Sequence, residues 1–476
     1  LKFALISAGP NAELGERESK KSIASFPPLG LLYLGAVLKN RGVRVSVLDQ
    51  AARGLTNDET VEWIKKEDPE VVGFSTFASS GQTAGLISSR VKHINPNIIV
   101  VLGNQYATFN PERILNKYPT VDIIGRGEGE GTIIELADCI ERDGDLRQVR
   151  GIAFRHEGRI FVTPERPLIK DLDSIPFPDR SMLTDEYHCF MAGTNVAPKK
   201  FTSLVSSRGC VYDCRFCSCT QFARNRWRHR SVENTLEELR MLADEGYEQL
   251  IFVDDSFTTN QKRIIELCKK MRKEKIEMDY ICEGRVNSCS YDLFREMAVS
   301  GCRILYFGIE SGNQRILDYY NKKTTVEQNE AAVRTAKKAG IDVIVGSFIV
   351  GAPDETRTEI QNTIDFASRV PLDLPQFNIL GVHPGNALWD EFESTGVLEG
   401  TDYWETGVAV SQICPTAVPL DEIKRMIHEG FYRFVLRPEY LLRQVNKTAK
   451  SGYRLKVFAD NFRNVRNIRN SIRAIA

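Results

Sequence analysis

The sequence lacks an excess of either charge: Lys plus Arg and Asp plus Glu each total 63. That balance removes the broad attraction on which most nucleic-acid and anionic-membrane binders rely, so no nucleic-acid partner is expected. Long hydrophobic runs are also missing. A membrane-spanning helix needs roughly 18 apolar residues; the longest runs, Asn97–Gly103 and Val343–Gly351, read as buried strands, and no transmembrane segment is expected. After Lys2 only the short run Phe3–Ser7 is apolar, too brief for a secretory leader, which points to a cytoplasmic protein. The 11 cysteines are odd in number and thinly spread over 476 residues, which excludes a disulfide scaffold and favours reduced thiols. No Gly-x-Gly-x-x-Gly follows the first strand, so a dinucleotide site is excluded there. The run Gly125 to Gly131 is glycine-rich, but its Glu128 and Glu130 would repel a pyrophosphate.

What is present is a long alternation of short β-rich and helical patterns, in a chain long enough for about two to four domains. Over 1–150 the strands are Lys2–Ala8, Arg44–Asp49, Val71–Ala78, Asn97–Gly103 and Asp122–Gly125. They are separated by helical patterns at Gly30–Arg41, Glu59–Glu67, Thr83–Ile94 and Glu112–Lys117. This alternation predicts an α/β, doubly wound, Rossmann-like domain whose ligand sits outside the carboxyl ends of the strands. Residues 151–195 read as a connector with a hairpin at Gly151–Thr163. From 196 to 395 a second alternation follows, with strands at Thr202–Ser206, Leu250–Asp254, Tyr280–Arg285, Ile304–Glu310, Val343–Val350 and Phe377–Val382. It predicts a partial, TIM-like (β/α)6 barrel with its active face at the strand C-termini. Residues 396–476 read as a C-terminal helical domain, with helices at Leu420–Leu436 and Pro438–Ser451 and a basic tail containing Arg463, Arg466 and Arg469 that suits a solvated helix face.

The chemistry concentrates after the first barrel strand, in Ser207-Arg208-Gly209-Cys210-Val211-Tyr212-Asp213-Cys214-Arg215-Phe216-Cys217. Thiolates hold iron–sulfur clusters, and a compact loop can wrap Cys210, Cys214 and Cys217 around one cube. Three ligands leave one iron of a [4Fe-4S] cluster open, which points to chemistry at that iron. Buried structural thiols do not need this spacing, and zinc normally takes four Cys or His ligands as two separated pairs. Cys219 lies just beyond and reads as a spare thiol. Glu283 and Arg285, two apart on one strand, face the same way and would pair with each other or with a charged ligand, such as a cofactor carboxylate for Arg285. Asp254 and Asp255 close the second strand, where a site role and an ordinary turn are both open readings.

At these residues the chain resembles the radical S-adenosylmethionine (SAM) superfamily, over about 200–385. The resemblance implies that SAM chelates the open iron and is reductively cleaved to a 5′-deoxyadenosyl radical, with a low-potential electron donor as partner. It also implies that Phe216 lies near the adenine, that Glu310 and Ser311 in Gly308-Ile309-Glu310-Ser311-Gly312 contact the methionine amino group or ribose, and that Gly346 and Gly351 let backbone approach the adenine.

The N-terminal region resembles the cobalamin-binding domain that precedes the barrel in one large class of these enzymes. The shared features are Pro27-Pro28-Leu29-Gly30-Leu31, Leu48-Asp49, Val72-Gly73-Phe74-Ser75 and Gly127-Glu128-Gly129-Glu130. Gly103-Asn104-Gln105-Tyr106 stands where that class usually has Gly-Gly-x-His, with Tyr106 a lower-face neighbour of the corrin or simply packing. Ser75, Thr76 and Ser79 are corrin-tail contacts by the same resemblance, and Gly127 and Glu128 belong to the same site. No Asp-x-His-x-x-Gly occurs, so cobalt should lack a lower histidine.

With both domains, the resemblance implies a cobalamin-dependent radical SAM C-methyltransferase. It would move a methyl from SAM by way of methylcobalamin to an unactivated carbon, after hydrogen abstraction by the deoxyadenosyl radical. The substrate class stays open between a protein side chain, a lipid and a natural-product precursor; the glutamine C-methyltransferase of methyl-coenzyme M reductase shares the plan. Cyclisation, ring rearrangement and carbon–carbon coupling run on the same plan, and a non-catalytic iron–sulfur electron carrier is the alternative of another class.

Overall fold

The computed structural model describes residues 1–10, 26–399, 402–406, 408–413 and 417–462. The expected basic tail with Arg463, Arg466 and Arg469 lies outside the described residues.

The first sheet contains β1 (Lys2–Ser7), β2 (Arg44–Asp49), β3 (Val71–Ser75), β4 (Ile99–Gly103), β5 (Ile123–Gly125), β6 (Ile152–His156) and β7 (Arg159–Val162), in the order β2-β1-β3-β4-β5-β6-β7. The β1 to β5 neighbours pair in parallel, and β6 and β7 add an antiparallel hairpin to the edge. Register aligns the strand ends, with Ser7 opposite both Asp49 and Ser75, and Ser75 opposite Gly103. The loops that follow therefore open along one edge. Helices cover both faces, as parallel strands require.

The second sheet has β8 (Phe201–Leu204), β9 (Gln249–Phe252), β10 (Asp279–Gly284), β11 (Cys302–Glu310), β12 (Val343–Val350) and β13 (Leu374–Ile379), all parallel and in sequence order, a partial barrel of six strands. Alternation divides its side chains. Phe252, Tyr280, Leu305 and Phe307 pack outward against helices, while Ile251, Ile281, Ile304 and Val345 turn inward and meet Tyr187, Val196 and Phe201. The lower lumen is thus plugged by apolar side chains, and the upper lumen keeps Glu283, Tyr306 and Arg285. Helices Val326–Ala339 and Arg357–Arg369 start at capping boxes, Thr325 with Gln328 and Thr356 with Glu359.

Most expected elements lie within a few residues of their observed positions. The differences have local causes. The third strand stops at Ser75 because Thr76 turns its hydroxyl onto the Gly103 carbonyl, at 2.7 Å, and the chain enters a turn closed by Ser80. Phe377–Val382 breaks into β13 and a short Gly381–Val382 strand that pairs antiparallel with Val408–Ala409. The helix Glu130–Glu141 begins inside the glycine-rich run that hid it from the sequence.

A continuous core joins the two sheets' surroundings, running from Ile6 and Phe74 through Tyr106 to Tyr320, Trp389 and Trp404. Leu420–Val435, Pro438–Lys450 and Gly452–Phe462 form the C-terminal helical region. Among the described residues no helix is long and apolar enough to cross a membrane. We propose 1–150, 151–195, 196–395 and 396–476 as the domain plan, with the connector's hairpin lending its strands to the first sheet.

Candidate active site

The cysteine loop is bracketed by a short antiparallel pair, Ser207–Arg208 with Arg228–His229, which closes its two ends on one another. Gly209 has φ +88°, and a Cβ there would lie 2.1 Å from the Arg226 carbonyl oxygen, so only glycine fits. Its N–H donates to Asp255 Oδ2 at 2.7 Å. Asp254 is committed to the scaffold: it is buried and accepts from the Ser206 N–H and hydroxyl, each at 2.7 Å, and from the Ser207 hydroxyl at 2.5 Å. Of the two aspartates, Asp255 faces the loop.

Cys210, Cys214 and Cys217 are free thiols in this loop. Cys217 N–H donates to the Cys214 carbonyl at 3.1 Å, a tight turn between two of the sulfurs. Burial pushes the Cys210 thiol up, while the Cys219 thiol donating to Cys217 holds that thiol down, at about 7. Among the described residues no three His, Cys, Asp or Glu side chains converge closely enough to hold a single ion. A cube of irons spreads its ligands wider than one ion does, and the donor set fits that larger group.

Arg285 donates to Cys214 Sγ at 3.4 Å and to the Lys322 carbonyl, and its guanidinium lies 3.6 Å from the Tyr212 ring centroid. Of the two readings of Glu283 and Arg285, a mutual ion pair is absent among the described residues, because Arg285 is drawn to the loop instead. Glu283 is exposed toward the barrel mouth, yet desolvation there, with Asp255 and Glu310 nearby, raises its carboxyl. Phe216 meets Tyr320 edge-on at 5.3 Å, and its carbonyl accepts from Asn386 Nδ2 at 3.3 Å.

A β-bulge at Gly308/Glu310 places Glu310 at φ +63° and re-aims its side chain to Lys322, with which it forms a buried ion pair. Ser311 turns away: fully buried, its hydroxyl bonds Thr363 Oγ1 at 3.0 Å. Gly346 also lies outside the mouth. A Cβ there would stand 2.7 Å from Leu372 and 2.8 Å from Ile309, so its smallness serves packing. Gly351, at φ +87°, donates to Glu355 Oε2 at 2.6 Å. Lys322 carried no signal in the sequence.

Across from the loop, a cavity of about 350 Å³ runs along one face of β1, β3 and β4, past Leu5, Gly73 and Val101, beneath Leu31, Leu34 and Leu136. Its mouth is formed by Ser75, Gly103, Asn104, Gln105, Gly127 and Glu128, and its far wall by Arg208, Gly209, Cys219 and Asp255. An apolar slot with a polar mouth fits a ligand with a slender ring-bearing tail and an amide-rich head. Asn104 takes φ +79° and ψ −169°, a region that glycine alone adopts easily, and is held there by Ser75 Oγ at 3.0 Å and the Gln105 N–H at 2.7 Å. Thr76, Ser79 and Tyr106 do not line this cavity. Tyr106 is buried and stacks on Trp404 at 5.8 Å.

The two halves are tied by charge. Arg208 bonds Glu128 at 3.2 Å and Glu130 at 2.6 Å, and Arg228 bonds Glu128 at 2.9 Å. Glu128 also accepts from the Ile169 N–H at 2.7 Å. The expected repulsion from these two carboxylates is therefore cancelled by arginines of the cysteine loop. The available sequence signal is a Gly-Glu-Gly-Glu run with a Ser-Arg-Gly-Cys run downstream, but only the fold brings them together.

Residues 204–367 match the radical SAM superfamily and residues 22–137 match the B12 binding domain. The chain is 35% identical over 422 residues to an uncharacterized methyltransferase of Pyrococcus horikoshii, covering 88% of this chain and 90% of that protein. It is 28% identical over 462 residues to the anaerobic magnesium-protoporphyrin IX monomethyl ester cyclase of Rubrivivax gelatinosus, covering 91% and 80%. Among solved structures it resembles the cobalamin-dependent S-adenosylmethionine radical enzyme OxsB with aqua-cobalamin and S-adenosylmethionine bound, with TM-score 0.70 and 18% identity over 99% of this chain and 71% of that one.

Proposed function

Because the chain belongs to the cobalamin-dependent radical SAM enzymes, we propose that it is a methyltransferase acting on an unactivated carbon of a small or side-chain substrate. Its cofactors are a [4Fe-4S] cluster, SAM and cobalamin. When bound, they supply a transferable methyl group and a radical able to abstract hydrogen.

The observation that carries this reading is the shared wall. Arg208, Gly209, Cys219 and Asp255 of the barrel side line the same cavity as Asn104 and Gly127 of the first sheet. A carrier in that cavity and a cluster on Cys210, Cys214 and Cys217 would flank one space. The chain's own part is positioning, since radical transfer needs reactants held in place and water kept out. Asp255 fixes the start of the loop through Gly209, Arg285 lies against Cys214, and Arg208 with Arg228 anchors the loop to Glu128 and Glu130. The Glu310–Lys322 pair would offer matched charges to the amino acid part of SAM, and Phe216 and Gly351 would lie toward its adenine. Asn104, Gln105, Ser75 and Gly127 would hold the corrin edge.

Anaerobic incubation of the loaded enzyme with SAM carrying a labelled methyl, reductant and candidate substrates tests this. Glutamine-bearing peptides, lipids and natural-product precursors belong among the candidates. Label in a product, with deoxyadenosine released, is the expected result. The cyclase relative supports a second reading, ring formation without methyl transfer; deoxyadenosine release with an unlabelled, cyclised product would favour it.

A further inference from the structure

A second, smaller cavity of about 250 Å³ lies beside the cofactor cavity. Three parts of the fold build it: Phe77 from the loop after β3, Gln105 and Tyr106 after β4, and Ser218 immediately after the last cluster cysteine, with His383 and Trp404 closing it from the far side. Gln105 lines both cavities, and Ser218 is the chain neighbour of Cys219, which lines the other. The small cavity thus touches both the cofactor slot and the cysteine loop.

Its lining is chemically distinctive. No Asp, Glu, Lys or Arg contributes to it. The Tyr106–Trp404 stack, with planes 11° apart, is a stiff aromatic floor. That floor is braced from behind, where Glu405 accepts from Lys117 at 2.5 Å and from the Tyr118 hydroxyl. The side-chain tips of Gln105, Ser218 and His383 make no hydrogen bond with the described residues, whereas their neighbour Asn110 donates to the Tyr106 carbonyl at 2.9 Å. Apolar walls with a few uncommitted polar tips are the mark of a small-molecule site. Desolvation lowers the His383 imidazole from its ordinary value, although the side chain is exposed at the cavity rim. At ~30 Å³ per water the volume holds about eight waters, room for one or two fused rings.

We propose that this cavity is the substrate pocket, and that it takes a neutral, flat, ring-bearing group of one or two rings, laid on aromatic walls and oriented by Ser218 and His383, with Gln105 at the boundary it shares with the cofactor cavity. The assignment rests on the methyltransferase reading for the word substrate; the binding chemistry stands on the cavity itself. A charged group would find no opposite charge in this lining. Aromatic contacts favour a planar guest.

The test is anaerobic titration calorimetry of the full chain, loaded with cluster and cobalamin, using indole and its anionic counterpart indole-3-acetate as probes. Two variants fill the cavity from opposite walls, Ala78→Trp and His383→Trp, so that failure of one to fold leaves the other to decide. Indole is expected to bind at least tenfold tighter than indole-3-acetate. Each folded variant should weaken indole at least tenfold while iron content and the cobalamin spectrum match those of the unaltered chain. Three results overturn the proposal: no indole binding or equal affinity for the two probes; unchanged indole affinity in the variants; or loss of cobalamin from the variants, which would assign the cavity to the corrin. Failure of the unaltered enzyme to form deoxyadenosine would instead sink the functional reading and leave the indole titration standing.

Discussion

Arg208 Nη2 lies 2.6 Å from Glu130 Oε1, an ion pair that joins the residue two before the first cluster cysteine to the first turn of a helix in the other half of the molecule. Glu130 has no other ion pair among the described residues, whereas Glu128 is shared between Arg208 and Arg228. The Arg208 side chain is 20% exposed and that of Glu130 10%, so both charges have lost most of their water.

Removing one partner of such a pair strands the other. Arg208→Ala should therefore cost about 3 kcal/mol of stability, and adding Glu130→Gln should restore most of it. Urea denaturation of the single and double variants checks this. Equal destabilisation in both would show that Arg208 acts through its contact with the Tyr33 ring, 5.3 Å away, and not through charge.

The four thiols of the loop should separate cleanly. Cys210→Ala, Cys214→Ala and Cys217→Ala should each lose most cluster iron and lower deoxyadenosine formation by at least 100-fold. Cys219→Ala should keep its iron, because Cys219 starts the short helix Cys219–Phe222 and stands beyond the three-thiol spacing. Its thiol donates to Cys217, so the variant should shift Cys217 alkylation in the cluster-free chain to higher pH. Iron analysis, product quantitation and alkylation rates measure the three effects.

Two glycines of positive φ should answer differently to alanine. Gly127, at φ +75°, has open space where a Cβ would go, so Gly127→Ala should cost only about 1 kcal/mol of backbone strain. Gly209→Ala would drive a methyl into the Arg226 carbonyl and forces the loop to open. The expected outcome is a folded chain by circular dichroism that holds less than half the normal iron.

Much of this architecture is legible in the sequence because its signals are local. The 2-to-3.6 switching of hydrophobic period gives both sheets, and Val343–Val350 is found where the pattern puts it. Cys210, Cys214 and Cys217 are three thiols of one short loop, so proximity in sequence becomes proximity in space. What was not legible depends on distant partners. Lys322 meets Glu310 through a bulge that no periodicity reveals. Ser311 and Gly346 belong to motifs that look like ligand contacts, yet Thr363, Leu372 and Ile309, from other parts of the fold, claim them for packing. Asn104 departs from the family's glycine while keeping a glycine-like backbone, which only the dihedrals disclose.

The last expectation concerns pH. Glu355 is almost fully buried, and its Oε2 accepts from the Gly351 and Ala352 N–H groups at 2.6 and 3.1 Å, while its Oε1 has no partner. Burial raises its carboxyl from the ordinary 4.5 to about 7, against the lowering effect of those two N–H groups. The folded chain then binds a proton that the unfolded chain releases between these values. The resulting stability is fully present below about 4.5 and is lost as pH rises through about 7. At 1.36 kcal/mol per unit, the loss between pH 5 and pH 8 should be about 2 to 3 kcal/mol. Glu355→Gln keeps the acceptor for Gly351 and removes the proton, so the stability of the unaltered chain relative to this variant should fall by that amount over the same range. Paired denaturation curves at pH 5 and pH 8 decide it, since a difference that does not change with pH would mean that Glu355 is ionised throughout and that its unpaired oxygen is stabilised by a group outside the described residues.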